Sequence, residues 1–286
     1  MSLYQAAGIG VPGALASAYR GVRYALDNLR AVDDGAAFVE PGAAQASTGA
    51  TALLLAGLAE RRAATGDAAH DAVMADLATF LVASTEPGGA VRAGYSLVED
   101  RWVDAHSPLF TGEVFWALAL AHEAFPDQGW DEPARRIGRY LATERDEAEG
   151  YWPDVPDHWA AYGFAVVAGA TGAGQAGAGA ARWAPLSAEE VDYLRRQAAF
   201  GGVHVRYESQ RVDEFPRWVL RGRRTLGAGL GTVGEQLGGL WVVAGSVSPP
   251  GLEGRRATTR RGRRRRWRRS TCRTPRSRGA AAPRSR

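Results

Sequence analysis

The sequence predicts an all-α fold made of helical hairpins in two layers. One observation is an amphipathic run, ending in an aliphatic or aromatic residue or pair, that comes round four times. A glycine turn follows each: Leu26 with Gly35; Phe80 and Leu81 with Gly88 and Gly89; Tyr140 and Leu141 with Gly150; Tyr193 and Leu194 with Gly201 and Gly202. A second is that more uniformly apolar runs lie between them, at 50–59, 114–121, 159–168 and 230–243. A third is the step of about 50–60 residues, which suits two helices plus a long loop. Helices apolar all round are buried on every side, and one-faced helices have solvent behind them. Inner helices wrapped by outer ones describe an α/α toroid; a flat solenoid also stacks helix pairs. Gly49, Ala56, Gly57, Gly112 and Gly163 on the inner runs allow close packing around a tight axis and favour the toroid.

Each element has its own signal. Residues 1–13 carry none and are expected to form a flexible N-terminus, with the helical domain over 14–245. Leu15, Tyr19, Val22, Leu26 and Leu29 make one helical stripe, the first outer helix. Val73, Leu77, Phe80 and Leu81 make the second. In the third, Asp131 is the expected N-cap and Pro133 lies in the first turn, followed by Ile137, Tyr140 and Leu141. The fourth opens with Ser187 and Glu190 at capping-box spacing, then Val191, Leu194 and Ala198. Inner helices are expected near 47–62, 111–124, 157–169 and 229–244. That makes about eight helices, with no sheet beyond short hairpins in the long loops.

The formal charge of +4 conceals two unlike segments. Residues 251–286 hold 15 of the 35 arginines and one acid, Glu253, for +14; residues 1–250 hold 20 arginines and 30 acids, for −10. The helical pattern stops near Gly245, and residues 246–286 are expected to be a disordered Arg-rich tail, because so little apolar surface cannot offset ordering entropy. Such a run binds nucleic acid non-specifically through its phosphates. The chain has no lysine, one asparagine (Asn28) and two isoleucines, the composition of a GC-rich gene, and such DNA read out of frame yields this Arg/Pro/Ala/Gly/Ser mixture. An out-of-frame origin for the tail is therefore expected.

Composition also excludes chemistry. The single cysteine, Cys272, permits no internal disulfide. The five histidines show no metal-ligand spacing, so neither metal nor cofactor is expected. The glycine-rich stretch from Gly169 follows a helix and lacks the lysine of a phosphate-binding loop. No run reaches the length of a membrane span, and the first arginine is Arg20, so there is no basic leader. A cytoplasmic protein without a membrane partner is the expectation.

Alternating helices place every outer-to-inner loop on one rim. These loops concentrate acids and aromatics. One carries Asp33, Asp34, Phe38 and Glu40; another carries Tyr95, Glu99, Asp100, Trp102, Asp104 and His106 and leads to Glu113. A third carries Tyr151, Trp152, Asp154, Asp157 and His158, and the last carries His204, Tyr207, Glu208, Asp213, Glu214 and Trp218. Aromatic faces stack on sugar rings, and carboxylates accept hydrogen bonds from hydroxyls. Glycoside cleavage needs two carboxyl groups. Glu113 and Asp157 are the expected catalytic pair, since each opens an inner helix; each also suits a helix-start acid that complements the helix dipole. Tyr95, Trp102, Asp104, His106, Trp152, Asp154 and His158 are the expected substrate contacts, whereas Trp116 and Trp159 read as core. His158 beside Asp157 also suits an acid/base group.

Thr48–Gly49 and Thr111–Gly112 at the starts of inner helices, the turn-plus-aromatic pairs Gly94, Tyr95 and Gly150, Tyr151, Trp152, and Asp157, His158, Trp159 opening the third inner helix carry a resemblance. Over residues 14–243 the chain resembles the six-hairpin glycosidase-like toroids, which include sugar epimerases. The resemblance implies a carbohydrate ligand at the rim, with glycoside hydrolysis first and epimerisation second. A non-enzymatic scaffold that binds a protein through the acidic rim is the rival. A closed six-hairpin ring has twelve helices where this chain shows about eight, so the ring is incomplete, and no family catalytic motif matches residue by residue. An open ring implies that the 286-residue form is inactive.

Overall fold

The structure is a computed structural model that describes residues 2–150, 157–169 and 183–199. The chain divides into Met1–Val247 and Ser248–Arg286, and all that follows belongs to the first unit. The expected inner helix at 229–244, the Arg-rich tail, Trp152, Asp154 and Trp218 lie outside the described residues.

The fold is helix-rich, and the outer and inner runs fold as helices in the expected order. The outer helices are α2 (Ala14–Asp27), α4 (Asp71–Ser84), α6 (Asp131–Thr143) and α9 (188–199); the inner ones are α3 (Thr48–Thr65), α5 (Phe110–Ala124) and α8 (His158–Val167). Short helices α1 (Ser2–Gly8) and α7 (Arg145–Ala148) are additional. Inner helices adjoin one another in chain order, α3 on α5 and α5 on α8, while α4 packs on α3 and α6 packs on α5.

Local chemistry explains these boundaries. Ser47 accepts the Ala50 N–H at 3.2 Å and starts α3, which Gly66 ends at φ 69°, a backbone shape suited to glycine. Ser187 and Glu190 exchange side-chain-to-backbone bonds at the start of α9, the capping box its sequence predicts. Asp131 is a correction: Trp130 is the N-cap of α6, and Asp131 is the first helical residue, where its charge still favours the positive helix end.

The core centres on α5, whose residues from Thr111 to Ala119 are all buried. Phe115 meets Phe164 edge-on at 4.7 Å. A methyl at Gly163 would overlap the Phe115 ring, and one at Gly138 would press on it at 3.2 Å. The glycines thus admit an aromatic ring between α5, α6 and α8, a side chain whose burial contributes about 1.5–3 kcal/mol.

Three features depart from the sequence reading. Beyond hairpins within loops (β1, Leu29–Val32, with β2, Gly35–Phe38; β4, Gly94–Ser96, with β5, Arg101–Trp102), β3 (Gln45–Ser47) pairs antiparallel with β4. That joins two successive interhelical loops in one three-stranded sheet, so the all-α description needs two small antiparallel sheets added. Residues 2–8, read as part of a flexible arm, form α1, which packs on α2 and α3. The α2 stripe is only partly covered: Ala14 and Ala18 are buried, but Leu15 and Tyr19 are exposed.

Candidate functional site

The first turns of α3 and α5 share one construction. Thr48–Gly49 opens α3 and Thr111–Gly112 lies in the first turn of α5, with both threonines fully buried. Each glycine leaves room for an acid of the next inner helix. A methyl at Gly49 would overlap the Glu113 carboxylate and the Phe110 ring, and one at Gly112 would overlap the Asp157 carboxylate. Glu113 and Asp157 therefore occupy corresponding seats, one helix apart along the inner layer.

Their surroundings differ. Asp157 is the N-cap of α8 and is fully buried. Its Oδ1 accepts the Ala160 N–H at 3.0 Å, and its Oδ2 accepts from Arg145 Nη1 at 2.5 Å. Arg145, also fully buried, donates through Nη2 to the Tyr193 hydroxyl at 2.9 Å, and the Asp157 N–H donates to Gln197 Oε1 at 3.1 Å. Held on both oxygens inside the protein, this carboxylate caps α8 and neutralises Arg145. Asp157 is thus the residue that fixes the start of α8. Its proximity to Arg145, which opens α7, is a contact that helical periodicity does not reveal.

Glu113 has a different setting. Trp116 follows it by one turn on α5, the spacing that puts two side chains on one helix face. Trp116 stacks on Trp159 of α8, centroids 5.3 Å apart and planes 23° from parallel, and Tyr162 lies 5.4 Å from Trp116. His158 is buried and sits 4.5 Å from the Trp159 ring. Trp159 and Tyr162 are half-buried, so each keeps an accessible part. Trp159, read as core, packs against the core and also keeps part of its ring accessible in an aromatic stripe. The signal available in the sequence was the i, i+3 spacing of Glu113 with Trp116 and of Trp159 with Tyr162.

The remaining expected contacts fall elsewhere. Trp102 packs on Phe80 at 5.1 Å and edge-on to Tyr95 at 5.3 Å, so it anchors the β4–β5 hairpin to the core. Tyr95 is buried and donates to Asp100 Oδ1 at 2.8 Å. That bond, then burial, pushes its hydroxyl up to about 12. Asp100 has φ 50° and Asp33 φ 48°, so both hairpin turns place an aspartate in the left-handed region. Asp104 is exposed. His106 is exposed beside Glu86, at 3.8 Å, and Glu86 also pairs with Arg92 at 3.3 Å. The expected set therefore divides: His158 accompanies Glu113 on the inner-helix first turns, while Tyr95 and Trp102 build the hairpin.

Among the described residues no cluster of three or more His, Cys, Asp or Glu side chains is arranged to hold a metal ion. No helix among them is long and apolar enough to cross a membrane. No protein-family model and no curated protein matches the chain.

Proposed function

We propose that this protein binds and acts on a carbohydrate at the first turns of its inner helices. The observation that carries the reading is the aromatic stripe formed by Trp116, Trp159 and Tyr162, with Glu113 one helical turn before Trp116 on α5. The aromatic faces offer the flat apolar surface that a pyranose C–H face needs, and the carboxyl supplies a hydrogen-bonding and proton-transfer group. Glu113 and Trp116 are themselves buried, and Trp159 and Tyr162 keep an accessible part.

Hydrolysis requires a second carboxyl group. Asp157 is committed to Arg145, so that group would come from another rim loop. Epimerisation asks instead for an acid/base pair, and His158 beside the aromatic stripe favours it as the second reading. In either case Glu113 is the proton-transferring group, Trp159 and Tyr162 form the platform, and Asp157 with Arg145 holds α8 in place.

The test is sugar binding followed by tryptophan fluorescence and calorimetry across neutral mono- and oligosaccharides, with turnover measured on those that bind. Trp159→Ala should weaken binding at least tenfold with unchanged circular dichroism. Glu113→Gln should keep binding but lose turnover. Saturable binding that survives Trp159→Ala and Tyr162→Ala unchanged would move the site elsewhere, and absence of binding to every sugar would end the reading.

A further inference from the structure

The N-terminal hairpin carries an apolar surface that the helical repeat does not use. α1 and α2 are joined by the turn Gly8, Ile9, Gly10, Val11, Pro12, Gly13, in which Gly10 and Gly13 take φ of 82° and 75°. Such a turn places side chains outward, and Ile9 at its tip is 84 % exposed. Leu3 on α1, Val11 in the turn, and Leu15 and Tyr19 on α2 are each at least 40 % exposed. Scattered apolar residues are ordinary on a protein surface, but five exposed on one short hairpin are a concentration of the kind that marks an interaction site.

Charge identifies the partner. Residues 1–26 contain no Asp or Glu, and Arg20 and Arg23 are exposed on α2. Among the described residues neither arginine forms an ion pair, whereas Arg61, Arg62, Arg92, Arg101, Arg135, Arg136, Arg145 and Arg196 do. The rest of the body, residues 27–250, holds 18 arginines against 30 acids. The acids on the packed elements include Asp27, one turn after Arg23 on α2, and Glu60, partly buried on α3. A basic, apolar-tipped hairpin on an acidic body suits a negatively charged surface that accepts apolar side chains. A symmetric contact between two copies of the hairpin would instead set Arg20 and Arg23 against their own counterparts.

We propose that the α1–α2 hairpin is a peripheral membrane contact. Ile9 and Val11 insert among the acyl chains of an anionic bilayer, Leu3, Leu15 and Tyr19 lie at the headgroup boundary, and Arg20 and Arg23 meet lipid phosphates. Absence of a spanning helix leaves such a contact open, and the proposal replaces the expectation of no membrane partner. Binding of this size is reversible.

The experiment is flotation of the full 286-residue chain with phosphatidylcholine vesicles, with and without phosphatidylserine. The Arg-rich segment 251–286 is present in every variant and supplies a common electrostatic background. Flotation is therefore repeated in about 0.5 M salt, where the Debye length shrinks to ~4 Å. Wild type should bind the anionic vesicles and keep part of that binding at high salt. The pair Ile9→Asp, Val11→Asp should lose roughly tenfold or more, and lose all of the salt-resistant part. Arg20→Gln and Arg23→Gln should each lose about fivefold on anionic vesicles only. These positions are exposed, and circular dichroism of each variant checks the fold. Equal flotation of wild type and the Ile9, Val11 variant would overturn the proposal and assign binding to the tail. No flotation of wild type, or self-association abolished by the same two substitutions, would overturn it as well.

Discussion

Replacing Asp157 by Asn separates a structural carboxylate from a catalytic one. Asp157 and Arg145 are both fully inaccessible, with Oδ2 and Nη1 2.5 Å apart. Asn retains an oxygen for the Ala160 N–H, so the cap of α8, worth about 1 kcal/mol, survives. The loss is the counter-charge of a guanidinium that water does not reach, which costs about 3–5 kcal/mol. For a domain of this size, with a urea slope of roughly 2–3 kcal/mol per molar, the unfolding midpoint should fall by about 1–2 M. Asp157→Ala should lose about 1 kcal/mol more, because the cap goes too. Arg145→Met combined with Asp157→Asn removes both charges and leaves Tyr193 short of one donor, so most of the stability should return, to within about 1–2 kcal/mol of wild type. Urea unfolding followed by circular dichroism measures all four proteins. A loss below about 1 kcal/mol in Asp157→Asn, or a double variant no more stable than that single one, would refute the buried-pair reasoning. Sugar turnover in the double variant adds a second readout. If Asp157 only positions α8, turnover returns with stability; a stable but inactive double variant would restore Asp157 to a chemical role.

Two further predictions concern packing and pH. Gly163→Ala should destabilise by about 1–3 kcal/mol, since its methyl overlaps the Phe115 ring, whereas Gly21→Ala in α2 meets open space and should stabilise by about 0.5–1 kcal/mol; urea midpoints moving in the same direction would contradict both. Burial pushes the Glu60 carboxyl above its usual value near 4.5, so its favourable contribution is complete below that pH and is lost as pH rises through the folded value. Glu60→Gln should therefore raise the melting midpoint at pH 7 and leave it little changed near pH 4, and equal gains at both would show that burial of charge is not the cause.

Much of the helical layout was legible because its signals are local. The inner runs at 47–62, 111–124 and 157–169 fold as α3, α5 and α8, and the Ser187–Glu190 box starts α9 where its spacing says. Nonlocal features were not legible. β3 is three residues long and finds its partner about fifty residues onward, so no alternation pattern marks it. Arg145 looks like any arginine after an amphipathic helix, and only the fold shows it enclosed between Asp157 and Tyr193. Nor does an inner helix that is apolar nearly all round reveal which of its faces is left half-open, and for that reason Trp159 read as core.

The repeat itself supplies a way to tell structural residues from the others. Set Thr48–Gly49 upon Thr111–Gly112 and the two inner helices run in register, with Ala50 against Glu113, Leu53 against Trp116 and Gly57 against Leu120. Both threonines are buried and both glycines receive an acid from the next helix, so those positions serve the hairpin stacking. Asp157 belongs with them, since it fills the seat at Gly112 and caps α8. Ala50 and Leu53 show that an inner helix of this chain folds without a carboxyl or an indole at the other two positions. Trp116 is thus a departure from what stacking needs, and it stands together with Trp159 and Tyr162, whereas Glu113 fills the seat at Gly49. Stacked indoles placed where the sister helix manages with Leu53 are a stronger sign of a site than the carboxyls at Gly49 and Gly112, which the repeat uses to hold itself together.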